Sequence, residues 1–162
     1  MSKVRTYPYR PVRVSQLSVG ELWPIELGDG QFACGVVLDP APTNPHNGNP
    51  KPGQVLLGLL DWVSRNPPTV ADVADATELL HHAYGGASSI NRYGAEIIGQ
   101  RDLEQSPLAA DERLSHRAGG PVWVLSAGRR VRQATEEERQ SMRILGALGY
   151  SGLRPLAQRY FC

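Results

Sequence analysis

Asp75, Glu78 and His82 are the first residues whose types and spacing suggest chemistry. On a helix, separations of three and seven residues bring two carboxylates and an imidazole onto one face. Such a set can hold a divalent metal and would serve a metal-dependent hydrolase. The plainer reading is a solvated face, since any amphipathic helix turns its polar side chains away from its apolar ones. His81 adds nothing to the set, because neighbours on a helix diverge by about 100°.

Nucleophilic chemistry has two candidates, Cys34 and Cys162. Cys34 falls on the apolar side of an alternating segment, which predicts a buried, inert thiol. The chain has no Gly-x-Ser-x-Gly elbow and no Walker-type Gly-Lys-Ser loop. Gly28-Asp29-Gly30 lies between two strand patterns, whereas a dinucleotide fingerprint needs a helix after it. His46 and His116 sit in loop-like sequence, and spacing assigns them no partner. Neither catalysis nor a cofactor is expected.

Arginine supplies the remaining candidates. Of 17 basic residues, all but Lys3 and Lys51 are Arg. GC-rich coding is the plain explanation, and selection for bidentate anion contacts is the functional one. In a strand, Arg130 and Arg132 share a face while Arg129 points away. Joined by Arg10 and Arg13, and with Trp23 and Phe32 as stacking surfaces, they would make a nucleic-acid-binding module. A net charge of +1 argues against that use, and a sheet edge defended by charge is the simpler reading.

The elements that must position these residues are legible in part. Residues 1–18 form a basic arm, extended around Tyr7-Pro8-Tyr9-Arg10-Pro11 because proline pushes its predecessor out of the helical region. Leu22, Trp23, Ile25 and Leu27 mark a strand, and the glycines around Asp29 turn the chain. Phe32, Cys34, Val36 and Leu38 then alternate with Gln31, Ala33, Gly35 and Val37, the mark of a half-buried return strand. Gly35 within it suggests a bulge or a close approach. Residues 39–54, rich in Pro and Asn, form a long loop, either a recognition element or a disordered excursion. Val55 to Val63 reads as a strand buried on both faces.

Thr69 to Tyr84 reads as a helix, with Thr69 as N-cap and Asp72 at its positive end. Asp72, Asp75, Glu78 and His82 would then form a polar face opposite Val70, Val73, Ala76 and Leu80. Tyr93 to Ile98 suggests a short strand, and Arg101 to Arg117 is ambiguous, with Ser106-Pro107 able to start a helix. Pro121 to Ser126 is another strand, with Arg129 to Arg132 returning against it after a turn at Gly128. Thr135-Glu136-Glu137-Glu138 is a capping box, opening a helix that carries Met142, Leu145 and Leu148 and stops near Gly149.

With 162 residues, 41% hydrophobic and 20% charged, the chain is expected to form one domain, residues 1–162. Its 17 Gly and 13 Pro are too many for a helical bundle. The expected fold is α+β, with a curved, mostly antiparallel sheet or small partly open barrel and two main flanking helices. The longest apolar run, Val55–Leu60, is far short of the ~20 residues that cross a bilayer. The basic N-terminus has no apolar stretch behind it, so no signal peptide is expected. Two cysteines are too few for a disulfide scaffold, and a cytoplasmic location follows as the expectation.

The segment Val19-Gly20-Glu21-Leu22-Trp23-Pro24-Ile25-Glu26-Leu27, its Asp29-Gly30 turn and the return Phe32-Ala33-Cys34-Gly35-Val36-Val37-Leu38 resemble the opening hairpin of a bacterial immunity-protein family, the one numbered twenty-six. The resemblance spans about twenty residues. It implies a small cytoplasmic antitoxin that binds a cognate polymorphic toxin and blocks it without catalysis. No site residue is carried over from the family. The surface expected to meet the toxin is read from this chain itself: Asp72, Asp75, Glu78 and His82 on the acidic face, with Trp62 beside the proline-rich loop. Carboxylates there would stand in for phosphates at a nuclease's basic site.

Overall fold

Alternation and glycine between Glu21 and Asp39 produce the expected hairpin. In the computed structural model, which describes residues 5–116, 120–149 and 151–162, β1 (Glu21–Glu26) pairs antiparallel with β2 (Phe32–Asp39). Gly28 and Gly30 adopt the positive φ that the turn requires. β3 (Val55–Ser64) and β4 (Leu79–Gly85) extend the sheet on one side, and the short β5 (Gly99–Gln100) on the other. The order is β4-β3-β2-β1-β5, an open antiparallel sheet with two edges. Between β4 and β5 lies one helical turn, α1 (Ser88–Asn91). A second sheet follows, β6 (Arg113–Leu114), β7 (Trp123–Ser126) and β8 (Arg129–Gln133). Two short helices, α2 (Glu136–Ser141) and α3 (Arg154–Phe161), complete the α+β fold.

The five-stranded sheet is covered on both faces. Trp23, Ile25, Val37, Leu57 and Leu59 join Ile90 of α1 and Leu153 and Ala157 around α3, with Tyr7 and Tyr9 of the arm packed alongside. On the opposite face, Leu22, Cys34, Val36 and Leu60 pack against Val73 and Leu79. Leu56 and Tyr84 meet Leu125 of the second sheet. β2 is therefore buried on both faces from Ala33 to Val37, not half-buried as its alternation suggests. β3 behaves oppositely along its length. Val55 to Leu60 are buried, while Asp61 to Ser64 alternate between exposed and half-buried.

Gly35 meets both expectations attached to it. The ladder to β3 is irregular between Ala33 and Gly35, and a Cβ on Gly35 would lie 2.2 Å from Cζ2 of Trp23. The basic arm packs along the sheet. Tyr9 bridges to Ile97, while buried Glu21 accepts hydrogen bonds from the Tyr9 hydroxyl and the Ser18 amide and pairs with Arg5 at 3.3 Å. Lys3 lies outside the described residues.

Four sequence expectations fail, the first two because backbone pairing with neighbouring strands overrides local helix signals. The helix over Thr69 to Tyr84 is absent. Thr69 and Asp72 do cap one another reciprocally, but only isolated turns follow, and Leu79 to Gly85 are β4. The backbone of β3 offers a ladder from Val55 to Leu60, and Leu79 to Gly85 fill it. A short helix is only marginally stable and cannot compete with that pairing. The capping box at Thr135 is present, yet its helix ends at Ser141. Met142 to Leu148 run extended: Leu145 donates to Leu114, Tyr84 to Gly146 and Leu148 to Tyr84, so this segment joins β6 to the edge of β4. The strand expected at Tyr93 to Ile98 is displaced towards β5, and no helix starts at Ser106-Pro107. Arg117, at the end of that ambiguous stretch, lies outside the described residues.

Candidate functional site

Two irregular segments cover one face of the five-stranded sheet, and the charges of the site belong to them. Residues 69–78 and 102–112 contain carboxylates but neither Lys nor Arg. Each anchors itself by apolar side chains. Val70, Val73 and Ala76 from the first, and Leu103, Leu108 and Ala110 from the second, pack on Leu22, Val36 and Leu60. The segments are stitched together by Ala109, which donates to Thr77 and accepts from Leu79. Arg101 completes the seam. It is 6% exposed and donates to the carbonyls of Val73 at 3.0 Å and Ser106 at 3.1 Å. The cation thus faces inward, while Asp72, Asp75, Glu78, Asp102, Glu104 and Glu112 face solvent.

Asp72, Asp75 and Glu78 therefore do lie on an exposed acidic surface, although they reach it from turns rather than from a helix. Trp62 is half-buried and packs at the margin of the same cluster. His82 does not belong there. It is 0% exposed, pairs with Gly58 in the ladder, and neither ring nitrogen has a hydrogen-bond partner. As a contact residue it is corrected by its burial, because the strand turns it into the interior. Burial first, then the charge of Arg113, pushes its imidazole down to about 4. With His82 inside and Asp75 and Glu78 outside, the proposed metal set is not assembled. Among the described residues no three His, Cys, Asp or Glu side chains converge as a metal site would require. The neighbouring carboxylate at His82 is Asp111, whose Oδ1 lies 3.7 Å from Nδ1 and whose Oδ2 accepts from Arg113 at 2.7 Å.

The basic alternative is dispersed. Arg130 stacks on Trp123, 3.8 Å from its ring centre, and donates to the carbonyls of Pro45 and His46. Arg132 pairs with Glu138 and Glu112, and this contact holds the Glu138 carboxyl down at about 2. Arg10 donates to the Asn91 carbonyl on another part of the molecule, and Arg13 is exposed. The stacking platform is absent too: Trp23 is 1% exposed beneath Gly35, and Phe32 is half-buried at a cleft of about 200 Å³ formed with Ile25, Ile90 and Leu153. Cys34 is buried, and loss of hydration raises its thiol to about 12.

Sequence reasoning overlooked Asp102, Glu104 and Glu112. The signal was available as a stretch from Asp102 to Glu112 free of basic residues, but only the ladder at Ala109 reveals that it lies beside residues 69–78. It also found no partner for His46, whose Nε2 lies 2.8 Å from the His116 carbonyl. The Pro/Asn-rich loop is a small folded excursion. Thr43 bridges to Pro50, and the Asn44 and Asn47 side chains cap the amides of His46 and Asn49. Comparison of the chain with family models, curated proteins and solved structures finds no match in any of the three.

Proposed function

We propose that this protein is an immunity protein: a binder that occludes a cognate bacterial toxin and performs no catalysis. The carrying observation is the charge segregation of the acidic cover, in which Arg101 is turned inward and the carboxylates of two adjacent segments outward. A rigid acidic surface complements the basic groove of a nuclease-type toxin and accelerates encounter at low salt. The hairpin that resembles the immunity-protein family supports the same reading, since it forms two central strands of the scaffold beneath that cover. Action in the cytoplasm is part of the proposal; no helix among the described residues is long and apolar enough to cross a membrane. The Arg10, Arg13, Arg130 and Arg132 alternative gains no support, because Arg130 and Arg132 are held by Trp123 and by glutamates.

Co-expression with the toxin encoded beside this gene tests the reading, with rescue of growth expected. The double variant Asp75→Lys, Glu78→Lys remains folded, because both side chains are exposed. It is expected to bind the toxin at least about tenfold more weakly, mainly through slower association. Failure of rescue by the wild-type protein, or unchanged affinity in the variant at low salt, rejects the acidic cover as the docking surface.

A further inference from the structure

The face of the five-stranded sheet that looks away from the acidic cover carries the cleft of about 200 Å³ beside Phe32. Buried Ile25, Ile90 and Leu153 line it, together with half-buried Phe32 and Ala95 and with Tyr93, which is 52% exposed. The helices on this face are short: α1 has four residues and α3 eight, and between them the end of the β1–β2 hairpin is left unfilled. Close-packed interiors leave few voids larger than a water molecule, so an apolar space of this size is a feature to be explained. None of these residues belongs to the acidic cover.

Tyr93 is exposed but not free to swing. The Arg154 guanidinium lies 4.4 Å from the centre of its ring and that of Arg92 5.7 Å. Contacts with Ser151, then with Arg92 and Arg154, draw its phenol below the ordinary value. An aromatic side chain open to solvent is thereby held in place beside an apolar space. The charged side chains lining the cleft are Glu26 and Arg154, one of each sign. Neither forms an ion pair among the described residues. Their charges cancel, so the cleft does not select an ion.

We propose that this cleft binds one uncharged phenolic ring, seated against Ile25, Ile90 and Leu153 and flanked by Phe32 and Tyr93. A cavity of about 150 Å³ with aliphatic and aromatic walls admits benzene, so about 200 Å³ accommodates a ring with small substituents. Aromatic pairs attract one another beyond the area they bury, and Phe32 and Tyr93 are both partly exposed partners for a ring. The hydroxyl follows from the polar groups of the lining. Glu26 accepts hydrogen bonds, while Tyr93 and Ser151 donate as well as accept, and a hydroxyl answers either kind. Two sources share this chemistry, a free phenol and a tyrosine side chain on a partner. The site stands independently of the acidic cover and of what that surface binds.

Amide shifts in the ¹⁵N-labelled protein, titrated separately with p-cresol and with N-acetyltyrosine amide, test the assignment. Saturable shifts centred on Gly94, Ala95 and Ser151 are expected with at least one of the two. Tighter binding of p-cresol identifies a free phenol as the ligand, and tighter binding of the amide identifies a tyrosine on a partner chain. The saturated counterpart 4-methylcyclohexanol is expected to bind more weakly than p-cresol by about threefold or more. Ala95→Phe fills the cleft and is expected to abolish binding. Tyr93→Ala removes an exposed ring, leaves the buried walls in place, and is expected to weaken binding by about tenfold or more. Shifts that grow linearly with both probes, equal binding of the saturated alcohol, or affinity unchanged in Tyr93→Ala overturn the proposal.

Discussion

Replacing His82 with leucine removes a buried base from the middle of β4 and so separates the effect of proton uptake from that of packing. The wild-type ring is 0% exposed with both nitrogens unpartnered. Burial, Arg113 and His81 together outweigh the attraction of Asp111 and hold the imidazole at about 4 against an ordinary 6.5. The unfolded chain therefore takes up a proton below pH ~6.5 that the native chain refuses. Its folded value being depressed, His82 leaves stability intact above that pH and erodes it as pH falls towards 4. At about 1.4 kcal/mol per pH unit, the full window is worth about 3 kcal/mol, a large share of a typical ~5–15 kcal/mol.

Urea unfolding of both proteins at several pH values between about 7.5 and 4.5 measures the difference. Carboxylates remote from His82 behave alike in both proteins and cancel, which leaves the contact with Asp111 as part of the difference measured. At pH ~7.5 His82→Leu is expected to match the wild type or exceed it by about 1 kcal/mol, because an apolar side chain of similar size leaves no nitrogen unsatisfied. By pH ~4.5 the advantage should widen by a further ~2–3 kcal/mol. Parallel stability curves for the two proteins would refute the reasoning, since they would mean that the native state accepts the proton as readily as the unfolded one.

Gly35→Ala places a methyl group 2.2 Å from the indole of Trp23, itself 1% exposed. A loss of about 1–3 kcal/mol is expected in the same unfolding assay, and an unchanged midpoint would show that the indole has room to move. The two thiols should separate under alkylation of the native protein. Exposed Cys162 reacts, whereas Cys34, buried and raised to about 12, reacts only after denaturant is added. Mass spectrometry of the native protein showing label on Cys34 would contradict its placement beneath the acidic cover.

Local pattern determined the elements whose signals are short-range. The β1–β2 hairpin follows from alternation and from glycines that can take positive φ, and the capping boxes at Thr69 and Thr135 form as their residue types dictate. The same local cues misjudged how far each helix would run. Propensity describes a segment by itself, whereas Leu79 to Gly85 answer to the unpaired backbone of β3, and Met142 to Leu148 to the edges of β4 and β6. The acidic surface was half legible for the same reason. Asp72, Asp75 and Glu78 carry charge, and they are exposed whether the backbone coils into a helix or runs through turns. His82 shares their spacing but belongs to a strand, and pairing with Gly58 buries it. Composition and period thus decided which residues were polar and where the chain turned. Only long-range hydrogen bonding decided which of those polar residues reached water and which, like Tyr84 and His82, were carried inside without partners.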